Sequence, residues 1–339
     1  MATAQGAPSQ GGTLLGIKLP EGRSANLIVY VIRRLLWMIP VLFFVILITF
    51  FLMHATPGGP WDANTKLKPD QIRLLDEKYG LDQPLWVQFG KYLLAIIRFD
   101  FGTSLIGQGQ TVSGMIGLGL PYTVTIGALA FLMVAIGGIG LGVVAALRQN
   151  SMVDYVALTL ATVGASTPNF VLGIVLIVVF SLGLYHLTQG NFLLPAGGFG
   201  LDDRLIMPVV TLAFLPMAYI ARLTRASTLE TLRQDYVRTA WAKGLAGRKV
   251  AMGHVLRNSL IPVATALGPT FAFLITGSFV VERVFQIPGI GRLFVTSIQG
   301  RDYPVILGST IFFAVVIAAA NLIVDILYVF IDPRVRLID

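Results

Sequence analysis

The sequence predicts an all-α, polytopic membrane protein with six transmembrane helices, and three observations carry that prediction. Of 339 residues, 55% are hydrophobic and only 12% are charged, with a mean hydropathy of +0.78. Soluble domains carry about 25% charged residues, so this chain lacks the charge to cover a water-facing surface. Six uncharged or nearly uncharged stretches are each long enough to cross a hydrocarbon core, which takes about 20 apolar residues. Lipid obliges a spanning backbone to satisfy its own hydrogen bonds, and the alternation of a barrel strand is missing, so each stretch is expected to be a helix.

Residues 1–26 are polar and Gly-rich, with no apolar core or cleavage site of a signal peptide. They are expected to form a flexible tail ahead of one transmembrane domain, 27–339. The first span, 35–53, follows Arg33-Arg34. A long segment, 54–120, separates it from the second. Within it, 69–79 reads as a short polar helix ended by Gly80. Next, 84–99 places Leu85, Trp86, Phe89, Tyr92, Leu93, Ile96 and Ile97 on one stripe, an amphipathic helix suited to the membrane interface. Such a stripe packs on the ends of the spans, with a dedicated docking site as the alternative. The second span, 121–147, carries no charge. The third, 155–185, is expected to kink at Pro168. The fourth, 205–221, holds Pro208 and Pro216. The fifth covers 259–281, and the sixth, 303–331, is interrupted only by Asp325.

Charge orients the bundle. More than half of the 25 Lys and Arg fall in the N-terminal tail, the turn at Arg148, the loop 222–258 and the C-terminal end. The segment 54–120 balances its basic and acidic residues. This bias places both termini inside the cell. The net charge of +8 therefore reports topology and implies no nucleic-acid partner. With no cysteine there is no thiolate metal site, and His54, His186 and His254 are too scattered to form one, so no metal ligand is assigned. Phosphate-binding and catalytic motifs are missing, so no catalytic residue is assigned. Carboxylates inside the spans are nearly missing, which disfavours a proton- or sodium-coupled carrier.

The loop 222–258 is the richest in information. It reads as two helices, one running to about Lys243 with Gly244 supplying a left-handed residue, the other running from about Arg248 into the fifth span. Its small residues suit insertion into a partner's groove; a basic loop that only enforces topology is the competing view. The run Arg238-Thr-Ala-Trp-Ala-Lys-Gly-Leu245, then His254-Val-Leu-Arg-Asn-Ser-Leu-Ile-Pro262, resembles the coupling loop of ABC importer permeases of the dipeptide/oligopeptide/nickel subfamily. The stretches Ala55-Thr-Pro-Gly-Gly-Pro60, Tyr79-Gly-Leu-Asp-Gln-Pro-Leu-Trp-Val-Gln88, Phe99-Asp-Phe-Gly-Thr-Ser104, Thr276-Gly-Ser-Phe-Val-Val-Glu-Arg-Val-Phe285, Pro288-Gly-Ile-Gly291, Arg301-Asp-Tyr303 and Ile331-Asp-Pro-Arg334 resemble the same subfamily, in the same order. The long outer segment is similar to that of the B-type subunit.

The resemblance implies a type I importer permease in the bacterial inner or plasma membrane. Its expected partners are a C-type permease, two ABC ATPase subunits, an outside solute-binding protein and the lipid bilayer. ATP and Mg would be bound by the ATPase subunits, and no cofactor by this chain. Peptides head the expected solutes, with nickel chelates, glutathione and oligosaccharides behind. Arg238, Thr239, Ala240, Ala242, Lys243, Gly244, Leu245, His254, Arg257, Asn258 and Pro262 would contact the ATPase. Thr167, Pro168 and Asn169 are candidates to line the path, or else a packing kink. Glu282, Pro288 and Gly289 belong to a stretch that dips back as an outer gate or forms a plain loop. Asp325 is a pathway candidate or a structural hydrogen bond near the interface. A secondary carrier or channel working without ATPases and a membrane-embedded enzyme remain the rival classes.

Overall fold

The computed structural model describes residues 13–14, 17–18, 23–62, 67–107, 109–190 and 194–331, with side chains from 29 to 326 within those ranges. Most of the expected tail, 1–26, and the 332–334 part of the terminal motif lie outside the described residues. Thr13–Leu14 and Ile17–Lys18 pair as a short antiparallel ladder. Among the described residues six helices are long and apolar enough to cross a membrane.

Helix α1 runs Arg23–Ala55. Helix α2, Pro69–Tyr79, opens with the Lys68 amide donating to Gln71 Oε1 and closes at Gly80, whose φ is +69°. Helix α3 covers Leu85–Ile97. Helix α4 spans Val112–Leu147, capped by Thr111 Oγ1 accepting from the Gly114 amide and widened by a π-turn at Val134–Gly138. Helices α5, Met152–Ser166, and α6, Asn169–Leu187, are separated by Thr167 and Pro168. Proline lacks an N–H and drives the preceding residue out of the helical region; Thr167 is extended, at φ −99° and ψ 119°. Helix α7 runs Asp203–Leu232 and α8 Asp235–Ala242. Helix α9 is continuous through Gly247–Val250, Ala251–Leu256 and Arg257–Ile275. Helices α10, Phe279–Val284, and α11, Ile290–Gly300, precede α12, Tyr303–Ile331.

Hydropathy located all six spans but misjudged several ends. Helix α4 begins at Val112 rather than 121, because Thr111 caps it and Pro121 is tolerated within it. Helix α7 continues to Leu232 rather than 221, since the polar residues beyond the apolar core still favour helix. The fifth span ends at Ile275 rather than 281, because Gly277 turns the chain at φ +72°.

Helix α7 is the axis of the bundle. Its Met207, Leu212, Ala213 and Ile220 meet Ile126, Ala130 and Val134 of α4 and Val263 and Leu274 of α9. The absence of a side chain at Gly142 lets α4 lie directly on Ala221 and Thr224 of α7. Helix α1 stands at the edge against α12, with Leu36, Trp37 and Ile39 more than half exposed, as a lipid-facing surface should be.

Candidate functional site

The loop after α7 folds as a helical hairpin with its own core. Val237 and Ala240 of α8 pack on Val250 and Val255 of α9, flanked by Leu232 and Leu245. The turn is closed by the Gly244 amide donating to the Trp241 carbonyl (2.9 Å) and the Leu245 amide to the Ala240 carbonyl (3.4 Å). This is a Schellman closure, and it requires a left-handed residue; Gly244 has φ +73°. Asn258 Nδ2 donates to the Tyr236 hydroxyl (2.9 Å), tying the outer face of α8 to α9. Arg238, Thr239, Ala242, Lys243 and Gly244 are exposed on one surface, while Arg257, Asn258 and Pro262 are exposed along α9. His254 and Leu245 are half-buried. Ala240 corrects the expectation of a groove-facing small residue: it is buried, with 5% exposure, under the hairpin. The 3.6-residue period turns position 240 onto the same side as Val237.

The hairpin is anchored to three long elements. Ser227 Oγ of α7 donates to the Ser259 carbonyl of α9 (2.8 Å). Two residues earlier, Arg225 donates through two nitrogens to both oxygens of Asp154, at 2.5 and 2.7 Å. Asp154 is buried at the first turn of α5, and its Oδ2 also accepts from the Asn150 amide. The Arg225 hydrogen bonds hold this carboxyl below the usual aspartate range, against the opposing effect of burial. The Lys/Arg bias of the loop 222–258 includes Arg225 but names no partner for it. The available signal was a single acid, Asp154, three residues after a capping Ser151, in a turn otherwise carrying only Arg148.

At the other end of the bundle, Glu282 organises the segment between α10 and α11. It is 2% exposed. Thr123 Oγ1 of α4 donates to its Oε1 (2.8 Å), and the Arg292 amide at the start of α11 donates to its Oε2 (2.9 Å). The Thr123 hydroxyl oxygen accepts in turn from the Ile290 amide (3.0 Å). A carboxylate at a helix N-terminus satisfies otherwise orphaned amides. A Cβ at Gly289 would overlap the Glu282 carboxylate, and one at Gly291 would sit 3.0 Å from Oε2. The stretches 276–285 and 288–291 are thus two halves of one buried knot, with Pro288 in the bend between them.

The α5–α6 break opens on a cavity of about 330 Å³ lined by Thr167, Pro168 and Asn169, facing Leu215 of α7 and Ser278 and Val280 of the knot. Asp325 lies elsewhere, on the α1–α12 seam: Tyr30 donates to its Oδ2 (2.8 Å) and Arg34 pairs with it at 3.1 Å. The structure therefore gives Asp325 two structural partners and places it apart from the Thr167–Asn169 cavity. Three further stretches converge at the end of the bundle that carries α2 and α3. Asp302 accepts from Ser104 Oγ and from the Leu105 amide, and Arg301 pairs with Asp62 at 3.1 Å. On α3, Phe89 packs its ring against Phe50 and Phe51, whereas Trp86 is 74% exposed. Among the described residues no group of His, Asp and Glu is arranged to hold a metal ion.

The model of the family described as "Binding-protein-dependent transport system inner membrane component" matches residues 138–337. The model for the N-terminal part of such membrane components matches 27–126. The chain belongs to this family of permeases. Among its relatives, the dipeptide transport system permease protein DppB of Bacillus subtilis (strain 168) is 42% identical over 91% of this chain and 98% of that protein. The oligopeptide transport system permease protein OppB of Salmonella typhimurium is 38% identical over 91% of this chain and 99% of that protein. A crystal structure of an amino acid ABC transporter with histidines aligns at a TM-score of 0.48, covering 64% of this chain and 94% of that one at 17% identity. The permease is a membrane-embedded transport subunit and not an enzyme, which sets aside the membrane-embedded enzyme and the carrier that works alone.

Proposed function

We propose that this permease forms half of a peptide import path and that the hairpin 235–258 is the lever through which ATPase subunits drive it. The peptide assignment is supported by the relatives' names, DppB and OppB. The Lys/Arg bias supports an orientation with the hairpin and both termini on the cytoplasmic side. A C-type permease would supply the other half of the path, an outside binding protein would deliver the solute, and two ATPases would bind ATP and Mg.

The observation that carries the lever is the hairpin's construction. A fold with its own small core moves as a rigid body rather than yielding. Only Arg233 and Gln234 separate α8 from α7, so there is little slack between the contact surface and the axis of the bundle. The Ser227–Ser259 and Arg225–Asp154 contacts extend the same displacement to α9 and α5. Movement of α5 would then alter the break at Thr167-Pro168, which lines the cavity shared with Ser278. No charged side chain lines that cavity, which suits a weakly selective conduit whose specificity resides in the binding protein. The Glu282 knot closes the opposite end of the path.

The test is Gly244→Val in the assembled transporter. A β-branched residue at φ +73° strains the turn by about 1–2 kcal/mol while leaving the spans untouched. Membrane level is expected to stay normal, while ATPase co-purification or uptake falls. Normal uptake together with normal co-purification would remove the hairpin from the mechanism and leave it as a topological loop.

A further inference from the structure

Helix α3 is mostly apolar, yet it has no buried residue. The structure divides the stripe expected from the sequence. Phe89 and Tyr92 pack on the cluster of Phe50, Met53, Tyr303, Ile306 and Leu307. Trp86, Leu94 and Ile97 are exposed instead, Leu94 at 61% and Ile97 at 69%. At about 100° per residue, Trp86, Val87, Leu94 and Ile97 share one arc of about 100°, the width of an apolar helix face. Gln88, Lys91 and Arg98 take the remaining side. There Gln88 Nε2 donates to the Leu81 and Gln83 carbonyls, and Lys91 donates to Gln83 Oε1. The helix thus has three sides: one packed on the bundle, one polar, and one apolar and exposed.

The depth of α3 follows from α1. The Phe89 ring lies 6.1 Å from that of Phe43 and 5.3 Å from that of Phe50, so it sits between their levels. At about 1.5 Å per residue, those levels are roughly 8–18 Å inward of Ala55, the end of α1. The apolar span of α1, Val29–Ala55, has 27 residues and is about 40 Å long. That length covers a hydrocarbon core of about 30 Å and leaves about 5 Å at each end for headgroups. Phe89 therefore lies below the headgroups, in the range of about 5–10 Å to which interfacial helices bury their apolar side. With 13 residues, α3 is too short to cross the core, which takes about 20. Phe43 and Phe51, both in ring contact with Phe89, are themselves exposed on α1. Exposed apolar surface thus runs without a break from the lipid-facing α1 onto α3.

We propose that α3 is a partly inserted helix, lying within one leaflet with its Trp86, Leu94 and Ile97 side against lipid acyl chains. Lys91 and Arg98 face the headgroups and water, and Phe89 fixes the helix to α1. The segment 54–120 thus enters the bilayer without crossing it, rather than standing wholly outside. The leaflet is the outer one under the orientation proposed above. Insertion itself depends neither on that orientation nor on the lever.

The chain has no cysteine, so Trp86→Cys, Leu94→Cys and Ile97→Cys can each carry a single spin label. The labelled positions are exposed, so the exchanges disturb no packing. The variants are placed in the importer assembled in nanodiscs, with reactive thiols of the partner subunits replaced. Collision of the label with oxygen, which concentrates in lipid, is compared with collision with a water-soluble nickel chelate. Phe44→Cys, exposed on α1, is the lipid reference. Leu74→Cys, exposed on the polar helix α2, is the water reference. The oxygen-to-nickel ratio at the three positions is expected to match Phe44→Cys and to exceed Leu74→Cys about tenfold. Lys91→Cys, on the polar side, should stay close to Leu74→Cys. Three outcomes would overturn the proposal. A ratio like that of Leu74→Cys at the three positions puts the face in water. Little collision with either reagent means that a partner protein covers it. A ratio that does not change around the helix leaves α3 without a lipid side.

Discussion

Replacing Arg225 by alanine leaves the Asp154 carboxylate buried, at 1% exposure, with only the Asn150 amide to hold it. Removing one partner of a buried ion pair costs about 3–5 kcal/mol. Arg225 keeps 20% of its side chain accessible, so solvent relieves part of the charge and the low end applies, about 3 kcal/mol. Asp154→Asn removes the charge from the buried side and leaves the arginine partly accessible, so it is expected to cost less, about 1–2 kcal/mol. The pair Asp154→Leu/Arg225→Met should recover most of the loss, since an apolar replacement carries no desolvation cost. The assay is reversible unfolding of the purified permease, run as a double-mutant cycle. The sign with pH follows from the depressed carboxyl. Stability from the pair is present above the unfolded aspartate value of about 3.9 and fades as pH falls through the lower folded value. The difference between wild type and Asp154→Asn should thus be flat from pH 8 to 5 and shrink only in strong acid. An Arg225→Ala cost within about 0.5 kcal/mol of zero would show that the pair is not a buried tether, and α5 would drop out of the lever.

Other outcomes follow from the same geometry. Gly289→Ala should force the α10–α11 knot apart, because its Cβ meets the Glu282 carboxylate; a loss of about 1–3 kcal/mol in unfolding, with impaired uptake, is expected, and wild-type behaviour in both would mean that the knot is a loose loop. Asn169→Trp should fill the cavity at the α5–α6 break and abolish uptake at normal assembly; unimpaired uptake would move the path elsewhere.

The spans were legible because hydropathy reads the thickness of lipid directly. Their ends were not, because hydropathy stops where lipid stops while a helix stops at caps and breakers. Thr111 and Leu232 mark real ends that lie beyond the apolar stretches. Prolines were equivocal for the same reason. Pro168 divides two helices, yet Pro40 and Pro216 sit inside theirs. The turn of the hairpin was readable, since Gly244 is a short-range signal, but the side of α8 that Ala240 takes was misjudged, because small size alone does not say which face a residue occupies. What could not be read was pairing at long range: Arg225 with Asp154, Thr123 with Glu282 and Ser104 with Asp302 are separated by 71, 159 and 198 residues. A single sequence shows that each of these residues is polar in an apolar setting, but nothing local states which other residue answers it. Asp325 illustrates the ambiguity: a carboxylate in a span invites a functional role, and its partners Tyr30 and Arg34 emerge only when α1 is set beside α12.

The lever itself is tested most directly by cross-linking. The permease has no cysteine, so Ala242→Cys, on the exposed surface of α8, introduces a unique thiol without touching the hairpin core. A short bifunctional reagent should join it to the ATPase subunit of the assembled importer. The yield should change between the nucleotide-free and ATP-bound states, and the cross-linked complex should lose uptake. No cross-link in either state, or full uptake with the link in place, would contradict transmission through the hairpin.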